Sequence, residues 1–337
     1  MNKVKIGVIG VGHLGKLHAK LYKEIDLAEI VGIYDVDNNK AELVGKELNI
    51  EVFINREQLL EKVDAVSIVT STTNHHEAAL KALDYDCHIF IEKPITVKIQ
   101  EAEEVISMAK EKQKVLQVGH IERFNSALIV LSDLNLKPLF IESHRLSMFE
   151  PRGTDVAVIL DLMIHDLDLI LYLVKDQPDK IDASGISVIS DSIDIANARI
   201  QFKNGCTANI TTSRISMKKM RKMRLFQPDT YISIDLMEGF SEIYYTNGNN
   251  FNAFKDGTLA LSLGEVEIKK GKKEIRYNKL QRKDWNPLKY ELSGFCESIL
   301  TGIPPLVSGG EGLAALRLAN QVLDKIDENA RLINMNK

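Results

Sequence analysis

The chain has 337 residues, 45% of them hydrophobic and 27% charged, with a formal net charge of -4. That length allows two domains with sizeable cores, and the balance is that of a globular protein rather than a disordered or fibrous one. A mildly acidic chain gives no reason to expect nucleic acid or an anionic membrane as partner, and no apolar run is long enough to span a bilayer. The three cysteines, Cys87, Cys206 and Cys296, form no paired motif and read as buried reduced thiols. The chain enters its first strand at once, without a basic and apolar leader, so a cytoplasmic protein is expected.

Lys3–Ile9 reads as a buried strand, because β-branched residues dominate a short apolar run. It leads into Gly10-Val-Gly12-His-Leu-Gly15, which opens an amphipathic helix over Leu14–Ile25. A second strand, Ala28–Tyr34, ends on Asp35, twenty residues after Gly15. Gly10 permits the tight turn, Gly12 lets the backbone approach a pyrophosphate, and Gly15 lets helix and strand pack closely. His13 and Leu14 begin the helix whose free N–H groups and dipole favour phosphate. Asp35 would accept from the ribose hydroxyls and repel a 2′-phosphate, which favours NAD over NADP; Lys40, the nearest following cation, lies in the next helix.

The alternation continues with a helix at Asn39–Leu48, a short strand at Val52-Phe53, a strand at Ala65–Val69 and a helix from His75 to Leu83. A strand at Cys87–Ile91, a helix at Lys98–Lys112 and a strand at Val115–Val118 complete a parallel sheet covered on both faces. Ligands bind beyond the carboxyl ends of such strands, so the turns at Thr70–His76, Glu92–Pro94 and Gly119–Asn125 are the places for chemistry. Beyond residue 120 the rhythm changes. A helix at Arg123–Leu134, a strand at Leu139–Leu146 and a helix from Asp155 to Val174 precede a run of strands from Lys180 to Lys270, separated by turns such as Lys203-Asn204-Gly205 and Thr246–Asn250. That run should form a largely antiparallel sheet, with helices at Leu288–Leu300 and Gly310–Asp327 closing the chain. So few helices leave one sheet face short of cover, and a homo-oligomer, dimer or tetramer, built through that sheet is expected.

Two motifs carry chemistry. Glu92-Lys93-Pro94 ends a strand, and the proline biases Lys93 to an extended conformation at the sheet edge. In the helix around Asp161-Leu-Met-Ile-His165-Asp-Leu-Asp168, Asp161, His165 and Asp168 fall on one polar stripe of an otherwise apolar helix. A histidine with a carboxylate one turn away suits a general acid or base; no His, Cys or Asp set has the spacing of a metal site.

The glycine turn, Glu92-Lys93-Pro94 and Asp161-x-x-x-His165-x-x-Asp168, in this order and spacing, resemble the Gfo/Idh/MocA oxidoreductase family over nearly the whole chain. The resemblance implies an N-terminal Rossmann domain over 1–120 with a doubly wound parallel sheet. It implies a C-terminal substrate-binding and oligomerisation domain over 121–337, with an open antiparallel sheet like that of glucose-fructose oxidoreductase. It also implies that Lys93 and His165, with Asp161 beside them, flank the nicotinamide and the reacting carbinol. The family's Thr-Pro-x-x-x-His segment is matched to Ser71–His76, with Thr70, Ser71, Asn74 and His76 near the cofactor and Glu92 and Lys93 closing that site. Histidine as a residue type suits a base at working pH, so His165 is assigned that role, and Lys93 would orient the hydroxyl and stabilise developing alkoxide charge; the reverse assignment stays open.

Gly119-His-Ile-Glu-Arg-Phe-Asn125 places His120, Arg123 and Asn125 toward the cleft, and Ser213–Arg224 holds six basic residues and no acid. Concentrated positive charge in an acidic chain points to an anionic ligand group such as a diphosphate. With Arg152-Gly-Thr-Asp155 these stretches resemble one branch of the family that oxidises the 3-hydroxyl of UDP-N-acetylglucosamine. Arg145, Arg152, Arg214, Lys218 and Arg221 are then candidates for the diphosphate or uridine end. A free-sugar or inositol dehydrogenase is the alternative, and a non-catalytic dinucleotide-binding transcriptional sensor is the alternative of another class.

Overall fold

The computed structural model describes residues 3–149, 156–246, 260–268 and 271–335. The first unit begins β1 (Val4–Ile9), α1 (His13–Tyr22), β2 (Ala28–Tyr34), α2 (Asn38–Leu48), α3 (Arg56–Leu60) and β3 (Ala65–Ile68). It continues α4 (His75–Asp84), β4 (His88–Glu92), α5 (Ile99–Glu111) and β5 (Leu116–Gly119). All five strands are parallel, in the order β2-β1-β3-β4-β5. Val52 makes only an isolated parallel bridge with Ile33, not the strand expected there. The expected helix over Arg123–Leu134 shrinks to a 3-10 turn at Ile121–Phe124 and one α turn, α6 (Ser126–Ile129). Asn125 interrupts it with an extended ψ of 134° and accepts the Ala127 N–H as a cap.

The second unit is built on a nine-stranded sheet. Its strands are β6 (Phe140–Leu146), β7 (Pro178–Ile186), β8 (Ile195–Phe202), β9 (Thr207–Ser213), β10 (Met220–Gln227), β11 (Thr230–Asp235), β12 (Phe240–Thr246), β13 (Leu261–Ile268) and β14 (Gly271–Gln281). The order is β13-β14-β12-β11-β10-β6-β9-β8-β7, antiparallel except for the β6–β9 pair. α7 (Ile164–Val174) packs on β6, on the face where Ile141, Ser143 and Arg145 are buried. The other face carries a row of rings in register across five strands: Phe140, Phe226, Tyr231, Tyr244 and Tyr277, with centroids 5.0–5.6 Å apart. The turn at Lys203–Gly205 lies between β8 and β9 as expected, whereas Asn247–Asn250 fall outside the described residues.

Two helices close the chain, α8 (Pro287–Thr301) and α9 (Gly309–Met335). A single boundary near residue 120 does not describe the result: the compact units are 1–124 with 286–317, and 125–285 with 318–337. The reason is burial. Leu288, Leu292, Phe295 and Cys296 of α8 share a core with Val4, Ile6 and Val8 of β1 and with Ala19 and Tyr22 of α1. A parallel sheet needs cover on both faces, and α8 completes one of them. The three thiols are buried and unpaired, and burial pushes the Cys296 thiol up to about 12. Among the described residues no helix is long and apolar enough to cross a membrane.

Candidate active site

In the first unit, the carboxyl ends of β1, β2, β3 and β4 open on a cavity of about 490 Å³. Gly10, Gly12, His13, Leu14, Asp35, Thr70, Ser71, Asn74, Glu92 and Lys93, all expected from the sequence at the cofactor, line it. The three glycines divide the work. Gly10 has φ +87°, and a Cβ there would meet the Val69 carbonyl at 2.7 Å. A Cβ on Gly15 would lie 1.9 Å from the Gly10 carbonyl oxygen, so Gly15 serves the helix-to-turn packing rather than the ligand. A Cβ on Gly12 would meet nothing within 4 Å: it would project into open space beside the helix N-terminus. The backbone is bare there, which fits the approach of a dinucleotide pyrophosphate.

Asp35 is buried at the end of β2, with one carboxylate oxygen accepting the Val11 N–H at 2.7 Å and the other the Asp37 N–H at 3.0 Å. It thereby braces the glycine turn as well as lining the cavity. Lys40 also lines it, with Nζ 3.8 Å from Asp35, along with Tyr34 and Val36, which the sequence did not mark.

His76 is not at this cavity. Its Nε2 lies 2.8 Å from Glu104 on α5. The neighbouring His75 occupies the inward place: it is 1% exposed, with Nδ1 2.9 Å from the Pro94 carbonyl oxygen and Nε2 3.3 Å from that of Thr70. Counting the motif from Thr70 rather than Ser71 puts the histidine at 75, a signal available in the sequence. Burial pushes the His75 imidazole below its ordinary value, against the opposing pull of the two carbonyls.

Of the residues placed toward the substrate after β5, two have other partners. Arg123 donates to Glu311 at 2.7 Å and to the Leu306 carbonyl, which ties in the segment before α9. Asn125 caps α6 and donates to the Leu236 carbonyl at 2.8 Å. His120 is buried.

In the second unit, Asp161 and His165 are half-buried, but Asp161 does not lie on a regular α-helix. Ile159–Met163 form a π-helical turn, in which the Ile164 N–H reaches back to the Ile159 carbonyl. The wider turn displaces Asp161 from the single stripe expected with His165 and Asp168; such turns recur at functional sites. Asp168 is fully buried. Arg145 is 3% exposed and donates through Nε to Asp166 at 2.6 Å, so this pair belongs to the interior. Held by Asp166, Arg145 does not reach the cavity of this unit that Arg214 and Arg221 line.

A cavity of about 400 Å³ in this unit is lined by Asp161, Arg214, Lys219 and Arg221, with Ser147, Met148 and Leu236 among its walls. Arg214 is 4% exposed, and Nε stands 4.0 Å from Asp194. Burial pushes the Asp194 carboxyl up, but the Ser190 hydroxyl and the N–H groups of Val188, Ile189 and Ser190 hold it well below its ordinary range. Arg214 therefore faces a fixed negative charge. Lys219 replaces the expected Lys218 at the lining, and Arg152 lies outside the described residues. Among the described residues no group of three or more His, Cys, Asp or Glu could hold a metal ion.

Residues 4–120 match the model of an oxidoreductase family with an NAD-binding Rossmann fold, and residues 141–233 match the GFO/IDH/MocA C-terminal domain. The chain is 40% identical over 246 residues to a UDP-N-acetylglucosamine 3-dehydrogenase of Acidithiobacillus ferrooxidans, covering 73% of this chain and 78% of that one. It belongs to the Gfo/Idh/MocA oxidoreductase family. The solved structure of the Acidithiobacillus protein superposes with a TM-score of 0.86 at 34% identity, over 97% of this chain and 99% of that one. Myo-inositol 2-dehydrogenase of Thermotoga maritima, another similar protein, is 25% identical over 344 residues, 96% of this chain and 97% of that one. As a member of the family, the chain is an oxidoreductase with an NAD-binding Rossmann domain, and the cavity lined by Gly10, Gly12 and Asp35 fits that cofactor.

Proposed function

We propose that the chain oxidises the 3-hydroxyl of UDP-N-acetylglucosamine with NAD. The observation that carries this reading beyond its similarity to the Acidithiobacillus enzyme is the second unit's cavity. It has Asp161 of the His165 motif on one wall and three cations, Arg214, Lys219 and Arg221, among the others. A nucleoside diphosphate would bring two phosphates to a wall rich in basic side chains, which a free sugar or inositol does not. A non-catalytic sensor has no use for a proton acceptor, and both Lys93 and His165 are present.

When bound, NAD supplies the hydride acceptor. Gly10, Gly12 and the start of α1 would hold its pyrophosphate and Asp35 its ribose, and Thr70, Ser71, Asn74, Glu92 and Lys93 line the same cavity. His165 takes the proton from the sugar hydroxyl through a ring nitrogen, with Asp161 orienting sugar or imidazole. Lys93 donates a hydrogen bond to the same oxygen and stabilises its developing charge as the carbinol carbon loses hydride. The half-exposed row of rings from Phe140 to Tyr277 supports a homo-oligomer formed through the large sheet, and the protein acts in the cytoplasm.

The test is NADH formation by the purified protein with UDP-N-acetylglucosamine, free N-acetylglucosamine or myo-inositol, with the ketone trapped. Turnover of the UDP-sugar is expected, and Lys93→Ala and His165→Ala each lower kcat by about 10²–10⁴-fold. Turnover of the free compounds alone would refute the substrate, and normal turnover in both variants would refute the site.

A further inference from the structure

Two buried histidines, neither of them in the expected catalytic motifs, touch the residues on either side of Lys93. His18, on α1, is 0% exposed, and its Nε2 lies 3.1 Å from the Oε1 of Glu92. The ring is held edge-on to Phe90 at 5.3 Å, and Phe90 in turn packs against Phe295 of α8 at 5.8 Å. Glu92 is itself buried, and its second oxygen accepts the Lys93 N–H at 3.3 Å. Gly119 stands opposite Glu92 in β5, and a Cβ there would come within 2.9 Å of the carboxylate. The adjacent strand is thus clear at the one position the carboxylate needs. His75, at the start of α4, meets the Pro94 carbonyl through Nδ1 and the Thr70 carbonyl through Nε2.

Interior packing alone does not call for this arrangement. A buried carboxylate is costly unless hydrogen bonds satisfy it, and an apolar pair of similar volume would serve a core as well or better. What the two imidazoles have in common is Lys93, whose preceding carboxylate and following carbonyl they hold from two different helices. A lysine side chain is a flexible four-carbon stem, so its ammonium is placed only as well as its backbone is. Both Glu92 and Thr70 also line the NAD cavity, so the same contacts fix the cavity wall against Lys93.

We infer that His18 and His75 are positioning residues that together hold Lys93 for catalysis, His18 through the Glu92 carboxylate and His75 through the Pro94 carbonyl. The inference rests on the reading of Lys93 as a group that touches the reacting hydroxyl. A misplacement of about 1 Å at such a group costs on the order of 100-fold in rate.

The test compares His18→Ala and His75→Ala with His18→Gln and His75→Asn in the full chain. The glutamine amide reaches the place of Nε2 and the asparagine amide that of Nδ1. The readouts are kcat and KM on UDP-N-acetylglucosamine, NADH affinity by fluorescence, and the acetylation rate of Lys93 relative to the other lysines, read by mass spectrometry. The alanine variants are expected to lose at least about tenfold in kcat with KM and NADH affinity within about threefold. Their Lys93 acetylation rate should change by threefold or more, and the amide variants should recover most of both properties. Folded alanine variants with kcat within twofold of the parent and unchanged Lys93 acetylation would overturn the inference. So would a loss of kcat that only follows the folded fraction. Acetylation and NADH binding need no sugar: if the parent protein turned over none, the proposed function would fail while the clamp was still decided by these two readings.

Discussion

The NAD cavity of the first unit and the basic cavity of the second are recognised by different kinds of atoms. The first is shaped largely by backbone: a turn at Gly10, a bare N-terminus at Gly12, strand ends at Asp35, Thr70 and Lys93. The second is shaped by side chains from the π-helical turn, the end of β6, the segment after β9 and the strand β10. A backbone site needs special residues at fixed spacing, so it leaves a mark on a short stretch of sequence. A side-chain site on a sheet depends on which way each residue faces and on what competes for it.

The largest effects should separate the glycines of the first cavity from one another. Gly15→Ala puts a methyl group onto the Gly10 carbonyl, so it should destabilise the fold by more than about 3 kcal/mol and give little soluble protein. Gly12→Ala meets no protein atom, so its Tm should stay close to the parent's while NADH affinity, measured by fluorescence titration, falls at least about tenfold. If both variants lost stability equally, the division between packing and ligand glycines would be wrong.

The arginines offer the matching contrast in the second unit. Arg145→Ala leaves Asp166 buried without its cation and should cost about 3–5 kcal/mol in denaturant unfolding. Arg221→Ala, at an exposed position on the cavity wall, should leave stability within about 0.5 kcal/mol. It should also raise KM for the UDP-sugar and weaken that KM's dependence on salt. Equal KM effects in the two variants would return Arg145 to the binding site.

This pair also shows where sequence reading reaches its limit. Alternating strands and helices, the glycine turn and Asp35 are legible in the sequence, because each is a local pattern with a local cause. Arg145 and Arg214 look alike in sequence, yet the first faces Asp166 and the second lies beside Asp194 on a cavity wall. The sequence points Arg123 and Asn125 toward a substrate and does not show that the first pairs with Glu311 and the second caps α6, partners 188 and 2 residues away. The home of α8 was equally hidden, since an apolar helix face does not say which sheet it will cover. The π-helical turn at Asp161 arises where the Ile164 N–H skips one carbonyl, and no residue type in that run calls for it.

The smallest expected effect concerns pH. Burial pulls His75 below the ordinary value of 6.5, so the unfolded chain binds more protons than the native one just below that pH. Stability should therefore fall as pH drops through about 6.5 and level off once the native imidazole also protonates. His75→Asn should flatten that part of the Tm profile. His88, lowered by burial and by Lys114, contributes in the same direction and remains in that variant.

The central claim, that the first unit holds NAD so as to receive hydride from C3 of a UDP-sugar, is tested most directly with UDP-N-acetylglucosamine deuterated at C3. The account predicts that NADH recovered after turnover carries the deuterium, as read by mass spectrometry. Unlabelled NADH formed while the sugar keeps its label would contradict it.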